Sequence, residues 1–174
     1  REARAEGADL SPFVRASYAL GAQAFRAKDI PRAIMMFRQA TFAVPIGNAP
    51  HIDALPSIPS QRYGITWLLR ACAEVAAPDS ELVDPELLHS LEPMLNTTED
   101  GLAMARCWVG LGEDARAQPH MERALRSAPE SVEVHAAVLA MERQKVAGSS
   151  PEQRVAKARA ARTRLEAFKA SFLK

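Results

Sequence analysis

The residues that could carry out chemistry are few in this chain and widely separated. Two cysteines, Cys72 and Cys107, form no Cys-x2-Cys pair, and a structural or catalytic metal site usually needs such close ligand spacing. No two histidines are spaced as H-x3-H. We therefore expect no metal site, no cofactor and two reduced, packed thiols. The histidines are His51, His89, His120 and His135.

Catalytic motifs are equally sparse. The segment "GLGED" at residues 110–114 is not followed by Lys and Ser or Thr, so it predicts a turn and not a phosphate-binding loop. No G-x-S-x-G motif occurs. Asp79 and Glu81, and likewise Glu99 and Asp100, are close carboxylates, but both pairs stand where helices are predicted to begin and negative charge is favourable there. We expect a protein that is not an enzyme.

Composition favours helices. The chain has 174 residues, 48% of them apolar, 25% charged and only 6% aromatic, with a net charge of +1. Abundant alanine and few β-branched or aromatic residues favour packed helices over a β-sandwich. The small net charge argues against a protein that binds polyanions through the charge of the whole molecule. No apolar run approaches the length of a membrane span and no signal peptide precedes the domain, so we expect a cytoplasmic protein.

The segment "ALGAQAFRAKDIPRAIMMFRQATFAVP", residues 19–45, reads as parts of two successive helices. Ser11 can cap the first, and Asp29 can cap the second with Pro31 in its first turn. Pro45 ends the second helix. Small side chains recur where two antiparallel helices would touch, because a bulky one would force their axes apart.

This pattern resembles a tetratricopeptide repeat, whose signature is W-x2-L-G-x2-Y, then Ala, A-x3-F and Pro over about 34 residues. A second copy at residues 103–129 has the same internal spacing. The matching positions of the first copy are Leu20, Gly21, Ala33, Phe37, Ala40 and Pro45, and those of the second copy are Ala117, Met121, Ala124 and Pro129.

The resemblance implies an all-α, tetratricopeptide-like solenoid of antiparallel helical hairpins with a capping helix and a long basic C-terminal helix. A middle repeat is placed by counting back one period, which puts Trp67 at the family's Trp and a helix start at Asp84-Pro85. The expected layout is a tail at 1–11 and a repeat domain at 12–147. That domain holds repeats at about 14–47, 64–97 and 98–131, a Pro-rich insertion at 48–63 and a capping helix at 132–147. The basic C-terminal helix at 148–174 follows the domain.

The family binds an extended peptide or a partner's helix in a concave groove lined by the first helix of each hairpin. The resemblance therefore implies a non-enzymatic scaffold for protein–protein interaction. The groove positions carried over to this chain are Arg15, Tyr18, Ala22, Phe25, Arg26, Leu68, Cys72, Leu102, Arg106 and Val109.

The layout is also similar to the repeat part of large immunophilins, which clamp the terminal carboxylate of heat-shock chaperones. Tyr18 and Ala22 replace the first two clamp residues, and Leu102 replaces a third-repeat Lys, while Arg106 remains. We expect no complete clamp. The alternative function is that of an accessory module of a larger enzyme, such as an immunophilin-type co-chaperone whose isomerase domain lies outside this chain.

The last predicted helix is amphipathic and basic. Its apolar stripe is Val155, Ala158, Leu165, Phe168 and Phe172. Such a helix can bind calmodulin, an anionic membrane or nucleic acid. We expect instead a capping helix with a solvated basic face, and no nucleic-acid partner, because aromatic residues are not interleaved with the charges. The oligomeric state is left open.

Overall fold

The computed structural model describes residues 11–42, 59–147 and 150–172, and these residues are all-helical, with no strand. The prediction of an all-α protein is therefore confirmed for the described residues. In order, the helices are α1 (Ser11–Arg26), α2 (Ile30–Thr41), α3 (Pro59–Val75), α4 (Pro85–Leu91), a short 3-10 helix (Glu92–Met94), α5 (Thr98–Gly110), α6 (Asp114–Ser127), α7 (Val132–Ala147) and α8 (Pro151–Phe172).

The chain forms two compact units. The first comprises Arg1–Val75 and Ser80–Leu95, and the second comprises Ala76–Asp79 and Asn96–Lys174. The basic helix α8 belongs to the second unit and packs against α7. The chain passes between the units after Val75, after Asp79 and after Leu95.

In the first unit α1 and α2 form a closely packed hairpin. A Cβ built on Gly21 would lie 2.7 Å from the ring of Phe37, so the ring occupies the space that a side chain would need. Ala33 and Ala40 are fully buried. The small residues thus stand at close helix contacts, as the sequence predicts.

A three-residue turn joins these two helices. Lys28 has a left-handed backbone with φ of 62°. The Lys28 N–H donates to the Phe25 carbonyl at 3.1 Å, and the Asp29 N–H donates to the Ala24 carbonyl at 3.0 Å. These are the two hydrogen bonds of a Schellman motif. The Asp29 carboxylate then caps α2 by accepting from the Arg32 N–H at 3.3 Å.

In the second unit α5 and α6 are joined by the same turn, 84 positions later in the chain. Gly112 has φ of 79° and takes the place of Lys28. The Gly112 N–H donates to the Val109 carbonyl at 3.1 Å, and the Glu113 N–H donates to the Trp108 carbonyl at 2.8 Å. The two hairpins therefore have the same turn length and the same pair of hydrogen bonds in the turn.

Exchanging the residues at these two turns should shift stability in opposite directions. A left-handed conformation costs a side-chain-bearing residue about 1–2 kcal/mol relative to glycine. Lys28→Gly should therefore raise the free energy of unfolding by about 1 kcal/mol, and Gly112→Lys should lower it by about the same amount. Urea denaturation of the two variants measures both shifts. A destabilised Lys28→Gly protein would show that the left-handed turn does not form at Lys28.

The segment between these hairpins departs from the predicted repeat. Helix α3 begins at Pro59, so residues 59–63 are helical and not part of a Pro-rich insertion; residues 48–58 lie outside the described residues. Proline suits the first turn of a helix because its missing N–H has no intrahelical partner there.

The predicted hairpin at 64–97 is wrong in its second half, since α4 has only seven residues and is joined to α3 by residues 76–84 and not by a tight turn. The predicted helix start is present, with the Asp84 carboxylate accepting from the Leu87 N–H at 2.6 Å.

The second unit continues from its hairpin to two further helices. The Thr97 hydroxyl accepts from the Asp100 N–H at 3.0 Å, and the Asp100 carboxylate accepts from the Thr97 N–H at 3.1 Å, which forms a capping box at the start of α5. Helix α7 occupies the residues predicted for the capping helix and packs against α5 and α6. No described helix is both long enough and apolar enough to cross a membrane.

Candidate functional site

Four aromatic side chains form a chain of contacts across α1, α2 and α3, called here the aromatic cluster. Tyr18 and Phe37 have ring centroids 6.0 Å apart, and Phe37 stacks on Trp67 at 6.2 Å. Phe25 meets Trp67 edge-on at 5.5 Å. Phe37 is fully buried, whereas the other three rings are half-buried. The aromatic cluster therefore holds the three helices together and also reaches the surface of the first unit.

Two cations lie over the half-buried end of the aromatic cluster. The Lys28 Nζ is 5.9 Å from the centroid of Phe25, and the Arg70 guanidinium carbon is 4.9 Å from the centroid of Trp67. Stacking on an aromatic face holds a guanidinium in one plane. The repeat pattern expects Leu at position 70, and for that reason Arg70 was not identified from the sequence as a surface residue.

The cationic character extends over the described parts of α1, α2 and α3. Residues 11–42 and 59–75 contain seven Lys and Arg but only two Asp and Glu, a net charge of +5. Arg15 and Arg26 are exposed on α1. A surface that joins half-buried aromatic rings to exposed cations can provide both apolar anchors and charge to a protein partner.

The structure places the predicted groove residues of α1 at or near the surface. Arg15 and Arg26 are exposed, while Tyr18, Ala22 and Phe25 are half-buried. Tyr18 packs against the buried pair Val14 and Ala40. Tyr18 and Phe25 are therefore part of the hairpin's own packing, so truncating them would disturb the fold as well as any bound partner.

The predicted groove residues of α3 are placed differently. Leu68 and Cys72 are both fully buried, so neither side chain is available to a partner, and their assignment to a groove surface is wrong. Burial raises the pKa of the Cys72 thiol to about 12, the nearby Arg38 lowers it and Asp84 raises it. The thiol is thus protonated near neutral pH and is a weak nucleophile. Cys72 and Cys107 are both free and buried, as predicted.

In the second unit the predicted groove residues lie on α5. Arg106 is exposed, Leu102 is half-buried and Val109 is buried with 6% of its surface exposed. Val109 is therefore a packing residue and not a surface anchor. Of the ten predicted groove residues, Arg15, Arg26 and Arg106 are the exposed ones.

A cleft of about 530 Å³ opens in the first unit between the end of α2 and the start of α4. Its lining combines one cation and two carboxylates with an amide, a hydroxyl and two apolar side chains. Helix capping already occupies one oxygen of Asp84. Sequence reasoning missed this cleft because its two walls are more than 40 positions apart. Its lining residues are Arg38, Gln39, Phe42, Asp84, Glu86, Leu87 and Ser90.

The described histidines have local roles. His89 Nδ1 lies 3.6 Å from the Glu92 carboxylate, and His135 Nε2 lies 2.8 Å from the Pro129 carbonyl. Within the described ranges, no three His, Cys, Asp or Glu side chains are grouped so that they could hold a metal ion. His51 lies outside the described residues.

No protein-family model, curated protein or solved structure matches this chain. Its function must therefore be inferred from its own residues and geometry.

Proposed function

We propose that the chain is a non-enzymatic protein-interaction scaffold built from tetratricopeptide-like hairpins, and that a partner's peptide or helix binds at the cationic aromatic surface of α1 and α3. The observation that carries the proposal is the repeated hairpin. Its two copies have the same turn, with left-handed residues at Lys28 and Gly112 and matched hydrogen bonds. Repetition of one helical unit is characteristic of scaffolds that present extended binding surfaces.

The site itself supports protein binding. Half-buried Phe25 and Trp67 lie beside Lys28 and Arg70, and exposed Arg26 follows Phe25 on α1. Aromatic and arginine side chains contribute most to protein interfaces, and the aromatic ones bury large areas at a low entropic cost. A complete carboxylate clamp is not part of this proposal, since Tyr18 and Ala22 stand at two of its positions.

The test is a selection of random 12-residue peptides displayed on phage against the purified chain. Enriched peptides are then synthesised, and their affinities are measured by calorimetry against three proteins: the parent, Arg26→Glu and Arg32→Glu. Arg26 and Arg32 are both exposed, but Arg32 lies on α2, so the second charge reversal is a matched control.

We expect Arg26→Glu to weaken binding about tenfold, because reversing a charge at the edge of an interface costs about 1.4 kcal/mol. Arg32→Glu should leave the affinity unchanged. A selection that enriches no peptide, or peptides that bind both variants as tightly as the parent, would refute binding at this surface. A chaperone C-terminal peptide that binds at low micromolar affinity and is lost with Arg106→Ala would favour the co-chaperone alternative instead.

A further inference from the structure

Helix α8 is the most highly charged part of the chain. Residues 151–174 contain seven Lys and Arg and two Asp and Glu, a net charge of +5, whereas residues 1–150 have a net charge of −4. The small net charge of the whole chain therefore conceals two regions of opposite sign. A concentrated positive segment attracts anions locally, whatever the total charge of the molecule.

The packing stripe predicted for α8 is absent from the first half of this helix. Val155 is 61% exposed and Ala158 is also exposed. Among the residues of α8 whose burial is described, only Arg164 and Leu165 are half-buried, and all the others are exposed. The described side chains in the first half of α8 are therefore exposed to solvent, and Val155 and Ala158 do not form the predicted packing stripe there.

An ion pair joins α8 to α7. The Arg164 Nη1 donates to the Glu142 carboxylate of α7 at 2.7 Å. The other described cations of α8 are exposed, and they define what we call the basic α8 face: Arg154, Arg159, Arg162 and Lys169. Lys169 lies 3.7 Å from Glu166 in a pair that is exposed on both sides, and such pairs are readily exchanged for another anion.

We propose that the basic α8 face binds the phosphate backbone of a nucleic acid. From Arg154 to Lys169 the helix rises about 22 Å at 1.5 Å per residue, which is long enough to follow several successive phosphates. Three of the four cations are arginines, whose planar guanidinium binds phosphate oxygens in pairs. Backbone binding needs only such charges and no pocket.

The same face is poorly suited to the other anionic partners. A membrane surface or a calmodulin-like groove requires large apolar anchors beside the charges. Residues 151–164 carry three of the four cations of the basic α8 face, and Val155 is the one large apolar residue in that sequence. The side chains of Phe168 and Phe172 lie outside the described residues. An acidic peptide gains its specificity from pockets for side chains, which one exposed helix surface does not provide. This proposal departs from the sequence-based expectation that nucleic acid is not a partner, and the experiment below tests which of the two holds.

The experiment measures fluorescence anisotropy of a labelled 20-base-pair DNA duplex, with a 20-nucleotide single-stranded RNA as a second arm. The full chain is titrated into each probe between 50 and 200 mM NaCl. The test variant is Arg159→Gln/Arg162→Gln. The matched control is Arg123→Gln/Arg126→Gln, which removes two exposed arginines from α6. Circular dichroism melts check that both variants remain folded.

If four phosphates are engaged, the logarithm of the association constant for duplex DNA should fall with the logarithm of the NaCl concentration, with a slope of about −3.6. Arg159→Gln/Arg162→Gln should reduce this slope to about −1.8 and weaken binding at least tenfold at 50 mM NaCl. The control should match the parent within twofold. No binding of either probe at 50 mM NaCl, or equal loss in both variants, would overturn the proposal. Tighter binding to vesicles containing 30% phosphatidylserine than to either probe would also overturn it, in favour of a membrane surface.

Discussion

Replacing Glu142 with alanine should lower the free energy of unfolding by about 3–5 kcal/mol, one of the largest effects expected for a single substitution in this chain. The Glu142 and Lys145 side chains are only 8% and 6% exposed, and the Lys145 Nζ lies 3.7 Å from the Glu142 carboxylate. The substitution would leave the buried ammonium without this carboxylate. It would also remove the 2.7 Å contact to Arg164 that fixes α8 on α7.

The reason for the large effect is desolvation. A buried ion loses its hydration on folding, and nearby opposite charge must offset that loss. The Gln118 side-chain oxygen, 3.5 Å from the Lys145 Nζ, is a neutral acceptor and cannot replace a carboxylate. Chemical denaturation with urea, followed by circular dichroism at 222 nm, measures the change in stability.

Two further variants separate this explanation from a general loss of charge. Glu166→Ala breaks an exposed pair with Lys169, whose side chains are 60% and 56% exposed, and should cost less than about 1 kcal/mol. The double variant Glu142→Leu/Lys145→Met removes both buried charges and should recover most of the loss. Equal effects of Glu142→Ala and Glu166→Ala would contradict a stabilising role for the buried ion pairs.

Local features of this fold could be read from the sequence because their causes lie within a few residues. The cap at Asp29, the helix start at Asp84 and the turn at Gly112 each depend on hydrogen bonds between groups three to five positions apart. The small residue Gly21 was likewise predicted to stand where two helices approach closely, and the structure adds that the ring of Phe37 lies against it.

The features that sequence reasoning missed depend on distant partners. Arg164 pairs with Glu142 across 22 positions, and no periodicity distinguishes these two residues from the solvated charges around them. The resemblance to the repeat family likewise placed Leu68 and Cys72 in a groove, but both side chains are fully buried on α3, which packs against α2. The repeat pattern predicts which positions of one helix face the next helix, and it assumes that the next helix has the usual length. Helix α4 has only seven residues, so the pattern does not hold for α3.

Truncating Phe37 to alanine should be similarly costly, at about 3–5 kcal/mol. Phe37 is fully buried at the centre of the aromatic cluster, between Tyr18 and Trp67, and its ring lies against the backbone at Gly21. The cavity left by the ring could close only if α1 and α2 moved closer to each other. Cavities that cannot close are the most destabilising.

The neighbouring Met35 provides the matched control for this prediction, since it lies on the same helix and is 50% exposed. Met35→Ala should change stability by less than about 0.5 kcal/mol. At the corresponding position of the second hairpin, Met121 is also fully buried, so Met121→Ala should cost about 2–5 kcal/mol. Urea denaturation of the three variants compares the two hairpins directly. If Phe37→Ala and Met121→Ala lower the free energy of unfolding no more than Met35→Ala does, the packing of small residues against a large one does not stabilise the hairpins. The scaffold proposal would then lose its structural basis.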